Sequence, residues 1–256
     1  MAHEQFQLEG LNVDTLTITE AAKQICDEIR SGRAFSVFTM NLDHVVKIRR
    51  NGAFRRAYER AGIVLADGFP IALAGRLQGK RVTRAAGSDL IEPLCEEARR
   101  AGLSIALLGS SFDSLSKAAK YLQSTYPGLK IAGAYSPPQG FNVTADTVTE
   151  AEEFVKATDA NIFFIALGAP KQELFADKAI ALKTEAAFVC IGAGLDFLAG
   201  YQHRAPKFVR QIGCEWAWRL ALNPRRLAAR YLDCVLVLPS IISNSLVRRR
   251  VSGRPA

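Results

Sequence analysis

Apolar residues fall in short unbroken runs along this chain: Ala34–Met40 (AFSVFTM), Ile63–Ala66 (IVLA), Ser104–Leu108 (SIALL), Ile162–Leu167 (IFFIAL) and Ala187–Ile191 (AFVCI), with Lys130–Ala134 (KIAGA) as a weaker sixth. Between them, Thr19–Arg30, Asp43–Ala61, Ser88–Ala101, Phe112–Tyr126, Ala145–Ala157 and Lys171–Leu182 repeat apolar residues at helical spacing. Thr17 and Glu20 form a capping-box pattern ahead of the first of these. A strand that is apolar at every position is covered on both faces, and strands alternating with helices are joined by parallel crossovers. The pattern predicts an α/β fold, a doubly wound and mostly parallel Rossmann-like sheet over residues 1–200. A basic, helical, membrane-associating appendage follows over 201–256.

Ligands of doubly wound sheets bind outside the carboxyl ends of the strands. The predicted exits are Thr39-Met40-Asn41, Asp67-Gly68, Gly109-Ser110-Ser111, Gly168-Ala169-Pro170-Lys171-Gln172-Glu173 and Gly192-Ala193-Gly194. All are small or polar. The Pro- and Gly-rich stretch Ser136–Thr144 reads as a surface loop.

Charge divides the chain unequally. Of the formal +8, residues 204–256 carry eleven Lys/Arg against Glu215 and Asp233, a surplus of +9, which leaves the first 203 residues at −1. A neutral body with a cationic tail implies a polyanionic partner: a phosphate-bearing lipid, an anionic membrane surface or a nucleic acid. The tail also holds Trp216, Trp218 and the apolar run Cys234–Val247. With Pro239 inside it, that run reads as too short and too polar to span a bilayer, and as suited to lying on a membrane surface. Five scattered cysteines without a C-x-x-C pair fit reduced thiols rather than a disulfide framework or zinc cage. No basic segment followed by an apolar run opens the chain, so the expected location is the cytoplasmic face of the inner membrane, peripherally attached.

Several exits carry motifs that occur together in one family. They are Thr39-x-Asn41-Leu42-Asp43-His44, Ala66-Asp67-Gly68, Arg84-Ala85-Ala86-Gly87-Ser88-Asp89-Leu90, Gly168-x-Pro170-x-Gln172-Glu173 and Gly192-Ala193-Gly194-x-Asp196. After them come Arg204-Ala205-Pro206, Gly213-x-Glu215-Trp216-x-x-Arg219-Leu220, Pro224-x-Arg226 and Arg230-Tyr231. In this order, from about residue 36 to 231, the chain resembles the WecG/TagA/CpsF glycosyltransferases. The Asn41–His44 stretch is more similar to exopolysaccharide members than to teichoic-acid members.

The resemblance implies a metal-independent, inverting transferase without a cofactor. It would use a UDP-sugar of the N-acetylmannosamine, N-acetylmannosaminuronate or glucuronate class and an undecaprenyl-diphosphate-linked saccharide. Carried over, Asp67 is the general base, with Thr39 and Asn41 positioning substrate beside it. Arg84 and Gln172 line the pocket. Arg204, Arg219, Arg226 and Arg230 neutralise diphosphates.

Elementary chemistry is compatible with those roles. Inverting transfer needs one base on the acceptor hydroxyl and either a metal or fixed positive charge for the departing UDP. The chain has no D-x-D pair, which favours fixed arginines. Gly109-Ser110 and Gly192/Gly194 could cradle phosphate at helix N-termini, and Gly168, Pro170 and Asp196 are further substrate-binding candidates. Each residue also has a local reading. Asp67 could cap a helix, Ser88-Asp89 could open one, and Thr39 and Asn41 could satisfy strand-end backbone. Gln172 could cap, the glycines could serve tight turns, and His44 could be a packing histidine. Two other function classes fit less well. A nucleic-acid-binding tail is normally polar between its charges, whereas this one is rich in Leu, Val, Ile and Trp. A nicotinamide-dependent dehydrogenase needs a G-x-G-x-x-G after its first strand, which is missing. A homo-oligomer that hides the lipid-facing tail is compatible with the pattern.

Overall fold

The architecture is that of a computed structural model, which describes residues 3–144, 147–202, 206, 217–218, 220 and 224–252, without the side chains of 147, 226 and 250–252. Eight strands form one sheet: β1 (Gln5–Leu8), β2 (Leu11–Asp14), β3 (Phe35–Met40), β4 (Ile63–Ala66), β5 (Ser104–Gly109), β6 (Lys130–Tyr135), β7 (Ile162–Ala166) and β8 (Ala187–Cys190). Their spatial order is β1-β2-β4-β3-β8-β7-β5-β6, and every pairing is parallel except the β1–β2 hairpin.

Helices cover both faces, which is why the inner strands are apolar throughout. On one face lie α2 (Leu42–Arg50), α3 (Gly52–Arg60), α4 (Phe69–Leu77), α7 (Thr147–Ala157) and α8 (Lys171–Ala179), packed on Phe38, Met40, Leu108, Phe163 and Ile165. On the other lie α1 (Ile18–Ile29), α5 (Gly87–Ala101), α6 (Phe112–Thr125) and the short α9 (Gly194–Leu198), packed on Val37, Leu65, Leu107, Phe164 and Val189. Alternate residues of each strand thus enter different cores. The Thr17–Glu20 capping box is formed in full at the start of α1.

Three local expectations are corrected. The single helix over 43–61 is two helices. Asn51 has extended backbone, its N–H closes α2 on the Lys47 carbonyl at 2.8 Å, and its side chain accepts Phe54 N–H at 3.1 Å to open α3. The helix expected over 171–182 ends at Ala179 in a 3-10 turn, Ile180–Leu182. The apolar run at the C-terminus is the middle of a longer helix, α10 (Pro224–Ser252), which continues through Pro239. Within it Leu227–Arg249, 23 residues long, is long and apolar enough to cross a membrane, with mean hydropathy 1.3 over an 18-residue window, so shortness does not exclude spanning.

One side of α10 is tied to the body. Leu227, Cys234, Ile241 and Ser245 are buried at intervals of seven or four residues, where α10 packs on α2 and α4. Arg50 holds Asp233 in a bidentate pair at 2.7 and 2.8 Å, Arg49 donates to Ser240 Oγ at 2.8 Å, and Arg230 Nε lies 3.7 Å from Asp43. The opposite side exposes Leu232, Val235, Leu236, Leu246 and Val247.

Candidate active site

The carboxyl ends of β2, β4, β3, β8, β7, β5 and β6 lie along one edge of the sheet, in that order. Toward the β2 end, Asp67 follows β4 and Asn41 follows β3. Asp67 N–H donates to the Met40 carbonyl at 2.8 Å, which prolongs the β3–β4 ladder and brings the two side chains together. Asn41 Nδ2 then donates to Asp67 Oδ2 at 3.5 Å, while Asn41 Oδ1 accepts His44 N–H at 3.1 Å as the cap of α2. The capping alternative for Asp67 does not hold: the N-cap of α4 is Gly68, at φ +88, and no side chain caps it. Asn41 therefore combines its local role with a contact to the carboxylate, and Asp67 is left half-buried at the edge.

Thr39 is 6 % exposed, its side chain on the face of β3 toward α5. A Cβ on Gly87, at the start of α5, would lie 2.8 Å from the Cys190 carbonyl and 3.4 Å from Thr39 Oγ1, so only glycine lets α5 approach β3 and β8 here. Arg84 donates to Asp89 at 2.6 Å, and the segment behind it is anchored by Ala85 N–H on the Ala66 carbonyl at 2.7 Å. The N-cap of α5 is Ala86 and has no side-chain cap bond, so Ser88-Asp89 lies inside the first turn and Asp89 is an arginine partner rather than a cap.

Gln172 is buried, 3 % exposed, and its amide is engaged on both sides: Oε1 accepts Gly192 N–H at 3.1 Å and Nε2 donates to Glu173 Oε1 at 2.7 Å. It ties α8 to the exit of β8. Gly168 stands at φ +71 before a cis Ala169–Pro170 bond, and Gly192 at φ +58. Gly109 stands at φ +108, where a Cβ would come within 2.4 Å of the Ala166 carbonyl. Gly194 is required by packing, since a Cβ there would meet Ile91 Cδ1 at 2.4 Å. Asp196 accepts hydrogen bonds from Ser110, Ser114 and Gln202, which binds α9 to the β5 exit. Ser136 Oγ donates to the Ser110 carbonyl at 2.8 Å and draws the 136–144 loop to the same edge. Arg230 reaches α2 through Asp43. Arg204 and Arg219, with Gly213, Glu215 and Trp216, lie outside the described residues, as does the side chain of Arg226.

Behind Asn41 and Gln172 is a buried polar group that sequence reasoning missed. Glu173 is fully buried, with Oε2 lacking a hydrogen-bond partner among the described residues, and burial pushes its carboxyl up to about 7. His44 Nε2 lies 4.0 Å from Glu173 Oε1, and its Nδ1 lies 2.6 Å from the Tyr58 hydroxyl, which reaches the Thr39 carbonyl at 3.3 Å. Burial holds His44 down to about 4, so it is neutral at pH 7. An acidic residue in the first turn of a helix ordinarily reads as solvent-facing. The only signal was the place of Glu173 in the motif Gly168-x-Pro170-x-Gln172-Glu173.

A family model described as "Glycosyl transferase WecG/TagA/CpsF family" matches residues 6–251. Among known proteins, the chain is similar to an N-acetylglucosaminyldiphosphoundecaprenol N-acetyl-beta-D-mannosaminyltransferase of Bacillus spizizenii strain W23, with 27% identity over 220 residues, 86% of this chain and 81% of the relative. It is 32% identical over 167 residues to a protein of the same description from Bacillus subtilis strain 168, covering 65% of this chain and 63% of that one.

Proposed function

The chain belongs to the WecG/TagA/CpsF glycosyltransferase family, and on that premise we propose that it moves a sugar from a UDP-sugar to an undecaprenyl-diphosphate-linked saccharide with inversion. The names of both relatives supply the acceptor class and favour N-acetylmannosamine as the sugar. The observation that carries the reading is the Asp67 carboxylate, at the β4 exit, held by Asn41 and not used as a helix cap.

In the proposed reaction, the acceptor hydroxyl oxygen bonds to the anomeric carbon from the face opposite the diphosphate. Its proton passes to Asp67. The anomeric C–O bond to UDP breaks, and the electron pair leaves with the diphosphate. General-base assistance of this kind contributes about 10²–10⁴-fold. The exits of β8, β7 and β5 suit the donor, because Gly168 and Gly192 leave open backbone there while Gly109, Ser110, Pro170 and Gly194 shape the turns beside them. Thr39 borders that ground, Asp196 braces it, and Arg84 stands beside Asp67's strand exit. Gln172 acts by fixing the Gly192 turn. The arginines of the C-terminal region, with Arg84, supply positive charge to the leaving diphosphate in place of a metal.

The outer side of α10 supports peripheral attachment to an anionic membrane. Five exposed aliphatic residues lie along it, with Arg225 and Arg226 near one end and Arg248 to Arg250 at the other. Packing of the inner side on α2 and α4 favours lying along the surface over spanning it.

A panel of UDP-sugars incubated with a water-soluble prenyl-diphosphate saccharide, scored by UDP release, tests the reading. Release that depends on both partners is expected, and release that is indifferent to the acceptor contradicts it.

A further inference from the structure

On the far side of Asp67 from the glycine-lined exits, the sheet edge forks. β2 and β4 are paired only at Asp14 and Leu65, after which β2 turns away at Thr15 into α1. The place beside Ala66 is taken by the segment ending at Ala85, whose N–H bonds the Ala66 carbonyl at 2.7 Å. In the fork opens a cleft of about 630 Å³, walled by His3, Thr15, Lys80, Arg81 and Thr83. That volume is within the range of small-molecule sites. Thr15 thus follows the Asp14–Leu65 pair, and Thr83 stands two residues before the Ala85 that bonds Ala66.

The walls are preorganised and carry Arg76, Lys80 and Arg81 against Glu4 and Glu20. Asp14, 2 % exposed, receives Val64 N–H at 2.7 Å and Gln5 Nε2 at 2.6 Å and also binds His3 Nε2, while Gln24 holds His3 Nδ1 at 2.9 Å. Both ring nitrogens of His3 are fixed, so it is a wall rather than a mobile arm. Arg76 is tied to the Val82 carbonyl at 2.9 Å and Lys80 to Glu4 at 3.0 Å. The Arg81 guanidinium is exposed and has no ion-pair or hydrogen-bond partner among the described residues. The Thr83 hydroxyl, the Thr15 hydroxyl, which donates to the Glu4 carbonyl at 2.9 Å and can still accept, and an uncommitted guanidinium match a sugar that carries a diphosphate.

We propose that this cleft is the subsite for the acceptor's sugar diphosphate, with the sugar against Thr15 and Thr83 and the diphosphate on Arg81. The inference rests on the transferase reading and deepens it. Inverting transfer needs the acceptor hydroxyl and the leaving diphosphate on opposite faces of the anomeric carbon, with the base beside the hydroxyl. The strand order leaves room for this, with the β3, β8, β7 and β5 exits on one side of Asp67 and the cleft on the other.

The test uses the full-length protein and measures binding of two probes: N-acetylglucosamine on a short prenyl diphosphate, and UDP. Arg81→Ala is expected to weaken the prenyl-diphosphate sugar at least tenfold and leave UDP within twofold, with Arg81→Lys restoring part of the loss. Its exposure lets the substitution leave the melting temperature unchanged. A wild-type protein that does not bind the prenyl-diphosphate sugar overturns the proposal, as does an Arg81→Ala variant that binds it normally. Loss of UDP affinity instead assigns the cleft to the donor and likewise overturns it. Failure of the transferase reading is separate: the wild type binds the probe through Arg81, yet no UDP-sugar is turned over.

Discussion

Asn41 spans two strand exits: its amide nitrogen donates to Asp67 at 3.5 Å, and its amide oxygen caps α2 through His44 N–H at 3.1 Å. One side chain thus fixes both a helix start and a candidate base.

The two functions of Asn41 are separable. Asn41→Ala is expected to lose about 1 kcal/mol of stability with the cap and about tenfold or more in turnover with the amide. Asn41→Ser keeps a capping oxygen, so its denaturation midpoint should recover while turnover stays low. Recovery of both together would assign Asn41 a capping role alone.

Glu173 makes stability depend on pH with a definite sign. Its folded carboxyl, at about 7, lies above the ordinary value of 4.5, so the folded state retains a proton that the unfolded chain releases. Its contribution is greatest below pH 4.5, falls as pH rises to about 7, and is constant beyond. Buried His44, held to about 4, changes oppositely between pH 4 and 6.5 and masks much of this slope. Other groups facing the carboxyl are Lys47 and Asp43 of α2, Tyr58 of α3 and Cys190 of β8. Glu173→Gln cannot ionise. Its stability in urea, relative to wild type, should rise between pH 4.5 and 7 by on the order of 1–3 kcal/mol. A pH-independent difference would refute the ionisation account.

Membrane attachment should depend on the outer side of α10. Leu232→Gln with Leu236→Gln removes two residues that are 61% and 68% exposed, so the fold should be retained. Burying such a side chain in lipid contributes about 1.5–3 kcal/mol. Flotation with anionic vesicles should therefore fall at least tenfold, while turnover of a water-soluble acceptor changes less than twofold. Unchanged flotation would move the membrane contact elsewhere.

If fixed arginines serve the leaving diphosphate, turnover should survive exhaustive EDTA treatment. Loss of turnover that manganese or magnesium restores would contradict the arginine assignment.

The sequence made the inner sheet legible because β3, β4, β5, β7 and β8 are covered on both faces and therefore apolar at nearly every position. It concealed β1 and β2, whose four-residue strands mix buried and exposed positions at the sheet edge. α4 was hidden because its Ala- and Leu-rich sequence directly follows an apolar strand. α10 was under-read because only its apolar stretch Cys234–Val247 was counted, and not the helix that extends beyond it on both sides. The strand exits were legible as small and polar positions. Which of them meet was not, since the Asn41–Asp67 contact depends on β3 and β4 being neighbours. The Glu173–His44–Tyr58 group joins three helices and leaves no local pattern.

The central claim is that Asp67 takes the proton of the acceptor hydroxyl, and the most direct measurement is the turnover of Asp67→Asn beside its affinity for UDP. The substitution nearly preserves shape and leaves the α4 cap at Gly68 untouched. The account predicts a fall in kcat of about a hundredfold or more, the usual scale of a lost general base, with UDP affinity unchanged. Turnover within about threefold of wild type would contradict it.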